Sequence, residues 1–287
     1  MARSPAHRFG QIIGDMLEEA LRMPLQKAAK SHSLYLDWKH NRSVRSGNKL
    51  VKWKDSNGNS HDLDYVLEEG GSETKQGHPK AFIEIAYRRY TKHSRNKAQE
   101  IQGAILPLAK KYKDDHPFLG VVLAGVFTGA SLTQLESNGF EVLFFPFESI
   151  VKSFKSVKID AFFDESTDGA QIQAKVDAYE ALSVNEQKKI ARSLRKYHKN
   201  EITQFIQNLE KSLNRSIEYV ILLTLHGERF KFDNLGEAVQ EINTYEEDKT
   251  VNGFIRYEVT IRYNNHDEIR GSFQTKSEAV HFLNKMR

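Results

Sequence analysis

Apolar residues at Phe9, Ile12, Ile13, Met16, Leu17, Ala20 and Leu21 recur at the i, i+3, i+4 spacing of one helical face and predict an amphipathic helix over residues 8–30. Pro24 is placed to kink or end it. The period then changes. Residues 49–54 form a strand pattern, and Asp55-Ser56-Asn57-Gly58-Asn59 carries the Asn-Gly signal of a hairpin into a second strand that holds Asp62 and Asp64. A polar loop delivers the chain to a third strand at 80–88. Ser94 is placed to cap a helix running through Ala98, Ile101, Ile105 and Leu108 to about Tyr112, interrupted late by Pro107. Residues 118–127 and 140–147 are apolar runs of the kind found in strands covered on both faces, with a short helix at 130–137 between them. Strand, helix and strand joined by short connections predict parallel crossovers and an α/β sheet. Residues 149–211 are mostly helical by period, with a polar break at 164–169.

The last part of the chain repeats itself. Val220-Ile221-Leu222-Leu223, then Arg229-Phe230-Lys231-Phe232, then Glu237-Ala238-Val239 matches Val259-Thr260-Ile261-Arg262, then Arg270-Gly271-Ser272-Phe273, then Glu278-Ala279-Val280. Each unit is a hairpin followed by a helix, so residues 216–287 form a duplicated ββα module whose halves bury their faces against each other.

Charge separates this module from the rest. It holds nine Lys and Arg against twelve Asp and Glu, so a chain of net charge +4 concentrates +7 in residues 1–215. Two segments carry that surplus: Lys39, Arg42, Arg45, Lys52 and Lys54, interleaved with Trp38 and Trp53, and Arg88, Arg89, Lys92, Arg95 and Lys97. Both are suited to track phosphates. In the module, Arg256 and Arg262 fall on strands able to face a major groove. No apolar run reaches the roughly 18 residues of a spanning helix, and Met1-Ala2-Arg3-Ser4-Pro5-Ala6 leads into no apolar core, so the expectation is a cytoplasmic protein without a membrane partner. Absence of cysteine excludes disulfides, Cys-based zinc sites and thiol nucleophiles, and the eleven histidines show no ligand spacing.

The candidate chemistry lies in two acids. Asp64 and Glu84 stand where buried strands prefer aliphatic residues, and two neighbouring carboxylates repel unless a cation sits between them. Hard oxygen ligands suit Mg²⁺. Asp62 is the alternative to Asp64, which is favoured because it lies deeper in its strand, against Val66. On the first helix, a stripe centred near Met16 and Ala20 places Glu19 at its flank, in reach of a site beneath, and turns Glu18 away.

Helix, hairpin, acid-bearing strand, helix, strand, helix, strand is an order that resembles the PD-(D/E)xK nuclease superfamily, which includes many type II restriction endonucleases. The resemblance covers roughly residues 8–150. It implies a nuclease core of restriction-endonuclease type, a mixed sheet flanked by helices, followed by a helical extension at 151–215 and the module at 216–287. It further implies that Asp64 and Glu84 hold Mg²⁺, that Glu19 joins as the helix acid, and that the substrate is double-stranded DNA. The family's lysine two positions after the second acid is missing, because Ala86 stands there. Lys97 on the following helix is the first candidate for the displaced cation and Arg88 the second, since a guanidinium stays charged and is a poor proton acceptor. The expected activity is Mg²⁺-dependent cleavage of DNA of restriction type. The alternative is a catalytically inactive nuclease-fold protein that binds nucleic acid or a protein partner. Cutting both strands of a palindromic site calls for a homodimer, and Ile190, Leu194, Ile202, Phe205, Ile206 and Leu209 offer apolar stripes that suit either such an interface or packing within their own domain.

Overall fold

Ser4 begins the first element by accepting the His7 N–H, and Pro5 occupies the first helical position, where its missing N–H leaves no bond unmade. The resulting helix, α1 (Pro5–Ser31), continues through Pro24 instead of ending there. Pro24 deprives the Ala20 carbonyl of its donor, and Arg195 replaces it, donating from Nη1 to Ala20 at 3.3 Å and to Glu19 at 3.2 Å. The computed structural model describes residues 4–91, 94–225, 228–249, 253–264 and 267–286. The chain divides into two compact units, Met1–Leu213 and Asn214–Arg287.

The first unit is built on a five-stranded sheet. Its strands are β1 (Tyr35–Trp38), β4 (Tyr65–Glu69), β5 (His78–Arg88), β6 (Phe118–Gly125) and β7 (Glu141–Pro146), in the order β1-β4-β5-β6-β7. The first three pair antiparallel, and β5, β6 and β7 run parallel. The parallel crossovers pass through α2 (Ser94–Lys111) and α3 (Gly129–Ser137). Apart from the sheet, β2 (Val51–Lys54) and β3 (Ser60–Leu63) form a two-stranded ribbon, with Lys52 opposite Asp62. One apolar core joins one sheet face to α2, α3 and the ribbon residues Val51 and Trp53. A second joins the other face to α1 and to α4 (Phe147–Phe154), α5 (Gly169–Glu180), α6 (Val184–Tyr197) and α7 (Lys199–Leu213). The architecture is mixed α/β, a mixed sheet flanked by helices.

Three expectations change here. The strand β1 has no alternating pattern that reveals it; Tyr35 to Trp38 earns its place by pairing with β4. The single strand expected around Asp64 is two, because the chain leaves the ribbon and enters the sheet at that residue. The helices of 151–213 are not a separable extension: Phe154, Val176, Ile190, Leu194, Phe205 and Leu209 are buried in the same core as α1 and the sheet. Of the two roles open to this stripe, packing within its own unit is the one observed, with Ile202 buried and Ile206 packed against the core.

The second unit contains β8 (Ile217–Leu223), β9 (Arg229–Phe232), α8 (Leu235–Thr244), β10 (Tyr257–Tyr263), β11 (Glu268–Phe273) and α9 (Lys276–Lys285). Its sheet order is β11-β10-β8-β9, antiparallel throughout. The repeated Glu-Ala-Val triplets follow matching helix caps, Asn234 accepting from Glu237 N–H and Thr275 from Glu278 N–H. Val220 pairs with Phe232 and Tyr257 with Phe273, so the structural equivalent of Leu222 is Val259, two positions from the match suggested by sequence. Leu222 and Val259 pair with each other across β8 and β10, which places an approximate two-fold axis between the repeats. Among the described residues no helix is long and apolar enough to cross a membrane.

Candidate active site

The β4–β5 ladder pairs Tyr65 with Ile83, and one further step of that register would set Asp64 opposite Glu84. There β4 parts from the sheet to become β3. Ile85 thus has a backbone N–H beside the parting strands, and the Asp64 Oδ2 accepts it at 2.6 Å. Glu84 meets a cation from the other chain segment that packs on this edge: Lys97, in the first turn of α2, holds its Nζ 3.5 Å from Glu84 Oε1 and 3.6 Å from Glu100. From the opposite sheet face α1 closes in, fixed by a 2.8 Å bond from the Tyr65 hydroxyl to the Glu18 carbonyl. Glu18 also lines a groove of about 360 Å³ with Arg8, Gln11, Gly14, Asp15 and Lys39.

The charges are poorly matched. Burial pushes the Glu84 carboxyl up from its ordinary range, the Asp64 charge adds to the shift, and Lys97 opposes it. Asp64 is likewise raised by burial, against the Ile85 N–H and the charges of Lys97 and Lys39. Glu18 is pushed up to about 7, by burial first and by Asp64 second. Asp64, Glu84 and Glu18 together carry more negative charge than Lys97 and Lys39 offset, an imbalance that a divalent cation would relieve.

The donor set fits Mg²⁺ on stated terms. Among the described residues there is no group of three or more acidic or histidine side chains arranged as a ready cage. Mg²⁺ does not require one, since it keeps several waters and is commonly held by one or two carboxylates plus substrate phosphate oxygens. Asp64 and Glu84 would be those carboxylates.

Comparison with protein-family models, with curated proteins and with solved structures returns no match. The site therefore rests on its own geometry.

Of the acids named from the sequence, Asp64 and Glu84 come together, with Lys97 beside them. Glu19 does not join them. It pairs with Arg22, and its carbonyl faces Arg195 of α6. The stripe estimate failed because α1 is covered on two sides, by the sheet and by α5–α7, so the centre of its buried residues is an average of two faces. A signal was available: Glu18 lies seven and eleven residues before buried Leu25 and Ala29, along one line of the helix. Asp62 is exposed and pairs with Lys52 at 3.5 Å on the ribbon. Ala86 is buried, and Arg88 turns to Glu100 and to the Tyr87 carbonyl.

The proposed phosphate contacts divide sharply. Arg42 is 1% exposed and bonded to Asp37 and Glu68, and Arg45 is bound to the same Asp37, so both are internal ties and not phosphate ligands. Arg89 donates to the Phe163 carbonyl at 2.6 Å and stacks on Phe147. A basic run in sequence says nothing of what the fold brings back to it: acids in the case of Arg42 and Arg45, a carbonyl and aromatic rings in the case of Arg89. Lys39, Lys52, Lys54 and Arg95 are exposed, as their assignment requires. Arg256 pairs with Glu258 and Arg262 with Glu268 in the second unit. Lys92 lies outside the described residues.

Proposed function

We propose that the chain is a Mg²⁺-dependent endonuclease that hydrolyses phosphodiester bonds of double-stranded DNA, with a core of the PD-(D/E)xK, restriction-endonuclease type. The observation that carries this reading is the juxtaposition of Asp64 and Glu84 at the parting of β3 from β4, with Lys97 3.5 Å from Glu84 and with Glu18 raised by burial first and by the Asp64 charge second. Asp64 and Glu84 would hold the metal, which would supply Lewis acidity toward the scissile phosphate and an activated water. Lys97 occupies the place of the family's missing lysine, from a different element, and orients the water and the phosphate oxygen next to Glu84. Water attacks phosphorus as the bond to the leaving oxygen breaks; Glu18, pushed up to about 7 by burial and the Asp64 charge, is suited to take up the water's proton, and the leaving oxygen takes a proton from solvent. Lys39, beside Glu18, steers the strand into the groove along α1.

The second reading, a catalytically inactive relative that binds nucleic acid or a protein partner, is favoured by Ala86 where a lysine is usual. The test is incubation with unmethylated plasmid and phage DNA, with and without Mg²⁺. Metal-dependent cleavage that Asp64→Asn and Glu84→Gln abolish supports the enzyme. Salt-sensitive DNA binding that both variants retain, with no cleavage of any duplex, modified or branched substrate, replaces it with the binder. A homodimer and target recognition by the ββα module extend this proposal, read out by light scattering and by the selectivity of a protein ending at Leu213.

A further inference from the structure

Phe162 and Tyr197 are the two aromatic side chains among the described residues that remain substantially exposed, at 50% and 44%. They line one groove of about 690 Å³. That size lies within the roughly 300–1,000 Å³ typical of small-ligand sites. Buried Phe147 forms part of its wall, and the Arg89 guanidinium lies over its ring at 3.9 Å. Lys152 and Lys155 stand at the groove against one acid, Glu148, and the Lys152 ammonium lies 4.1 Å from the centre of the Tyr197 ring. Ser156, also in the lining, buries its hydroxyl with no hydrogen-bond partner. Aromatic faces, a surplus of lysine and an unpaired hydroxyl are complementary to a nucleobase, which has a π-face and a hydrogen-bonding edge and carries a phosphate on either side. A protein helix would match the aromatics, yet it would leave both lysines and the hydroxyl unanswered.

We infer that this groove binds an unpaired nucleotide of the DNA substrate, stacking its base on Phe162 and Tyr197 and its phosphates against Lys152 and Lys155. The inference rests on the nuclease reading for its substrate and adds a single-stranded element to it. Arg89 lies five residues past Glu84, so their Cα atoms are at most about 18 Å apart, and its guanidinium touches the groove-wall ring of Phe147.

The experiment uses the full chain in EDTA, so that binding is read without cleavage. Its probes are a single-stranded oligonucleotide carrying one 2-aminopurine, the same strand as RNA, and the blunt duplex. Base–aromatic stacking of about 1–3 kcal/mol predicts that Phe162→Ala or Tyr197→Ala weakens single-strand binding by about 5- to 150-fold. Each should also remove the quenching of 2-aminopurine that stacking produces, and Lys152→Glu should weaken binding and reduce its salt dependence. RNA binding equal to DNA would widen the class to unpaired nucleic acid and retain the groove. The unaltered chain separates this result from the plasmid test: single-strand binding that needs Phe162 and Tyr197, in a chain that cuts no plasmid with Mg²⁺, upholds the inference and defeats the nuclease reading. Single-strand affinity unchanged by Phe162→Ala, Tyr197→Ala and Lys152→Glu would overturn the inference. So would absence of oligonucleotide binding of any kind, which would assign the groove to a protein partner.

Discussion

Arg42 offers a direct test of the distinction between a basic sequence and a basic surface. Its Nη1 lies 2.7 Å from Asp37 and 2.6 Å from Glu68, its Nη2 2.9 Å from the second Glu68 oxygen, and its Nη2 also donates to the Ser72 and Lys75 carbonyls at 2.7 and 2.8 Å. The guanidinium thereby ties the loop after β4 to the sheet. Glu68 is 0% exposed, and apart from Arg42 it accepts from the Gly77 N–H. Arg42→Met keeps much of the stem but strands that carboxylate, while Asp37 retains Arg45. Removing one partner of a buried pair costs about 3–5 kcal/mol, against a total stability of about 5–15 kcal/mol. For a unit of this size each kcal/mol moves Tm by about 2–4 °C, so the variant should melt about 6–20 °C lower. Arg45→Met, at a more exposed position, should cost a fraction of that. Arg42→Lys should rescue little, because an ammonium cannot reproduce the two-pronged contact with Glu68. Circular-dichroism melts of the three variants, with DNA affinity measured well below Tm, decide the matter. An Arg42→Met protein with unchanged Tm and reduced DNA affinity would refute the assignment of Arg42 to the interior.

The correction on α1 predicts that Glu18→Gln lowers cleavage at least tenfold and that Glu19→Gln stays within about twofold, measured as initial rates on plasmid; the reverse order would restore Glu19. Lys97→Met should lower the cleavage rate about a hundredfold with a smaller change in DNA affinity, whereas Arg88→Met should change it only a few-fold. Stability should depend on pH in a definite direction. Because the folded Glu18 titrates at about 7, above its ordinary 4.5, its contribution is full below pH 4.5 and is lost as pH rises through 7. Asp64 and Glu84 act in the same direction. In EDTA, Tm should therefore fall between pH 5 and 8, with about 2–3 kcal/mol traceable to Glu18, and Glu18→Gln should flatten the slope. Added Mg²⁺ should restore stability most at the alkaline end; a Tm that is flat in EDTA and indifferent to Mg²⁺ would count against the charge account.

Legibility followed the range of the interactions. The parallel crossovers, the β2–β3 hairpin and the duplicated module depend on local period and turn chemistry, so Asn57-Gly58 and the paired Glu-Ala-Val triplets were sufficient signals. The strand β1 has no such signature, since its four residues owe their conformation to pairing with β4, about thirty positions on. Asp64 and Glu84 were visible as acids in apolar strands. The reason they meet is the parting of β3 from β4, which no local pattern announces. Glu18 was hidden by the second layer of helices against α1, and Arg42 by the carboxylate of Glu68, twenty-six residues away. In each case the missing information was a contact between elements distant in sequence.

The central claim is that Asp64 and Glu84 jointly hold a divalent metal. Crystals grown with a short DNA duplex and Mn²⁺, measured at the manganese absorption edge, test it directly. The account predicts an anomalous peak within about 2.0–2.6 Å of an oxygen from each carboxylate, lost in Asp64→Asn. A DNA-bound structure with no peak there, in which Glu84 stays paired with Lys97 and Asp64 with the Ile85 N–H, would contradict it.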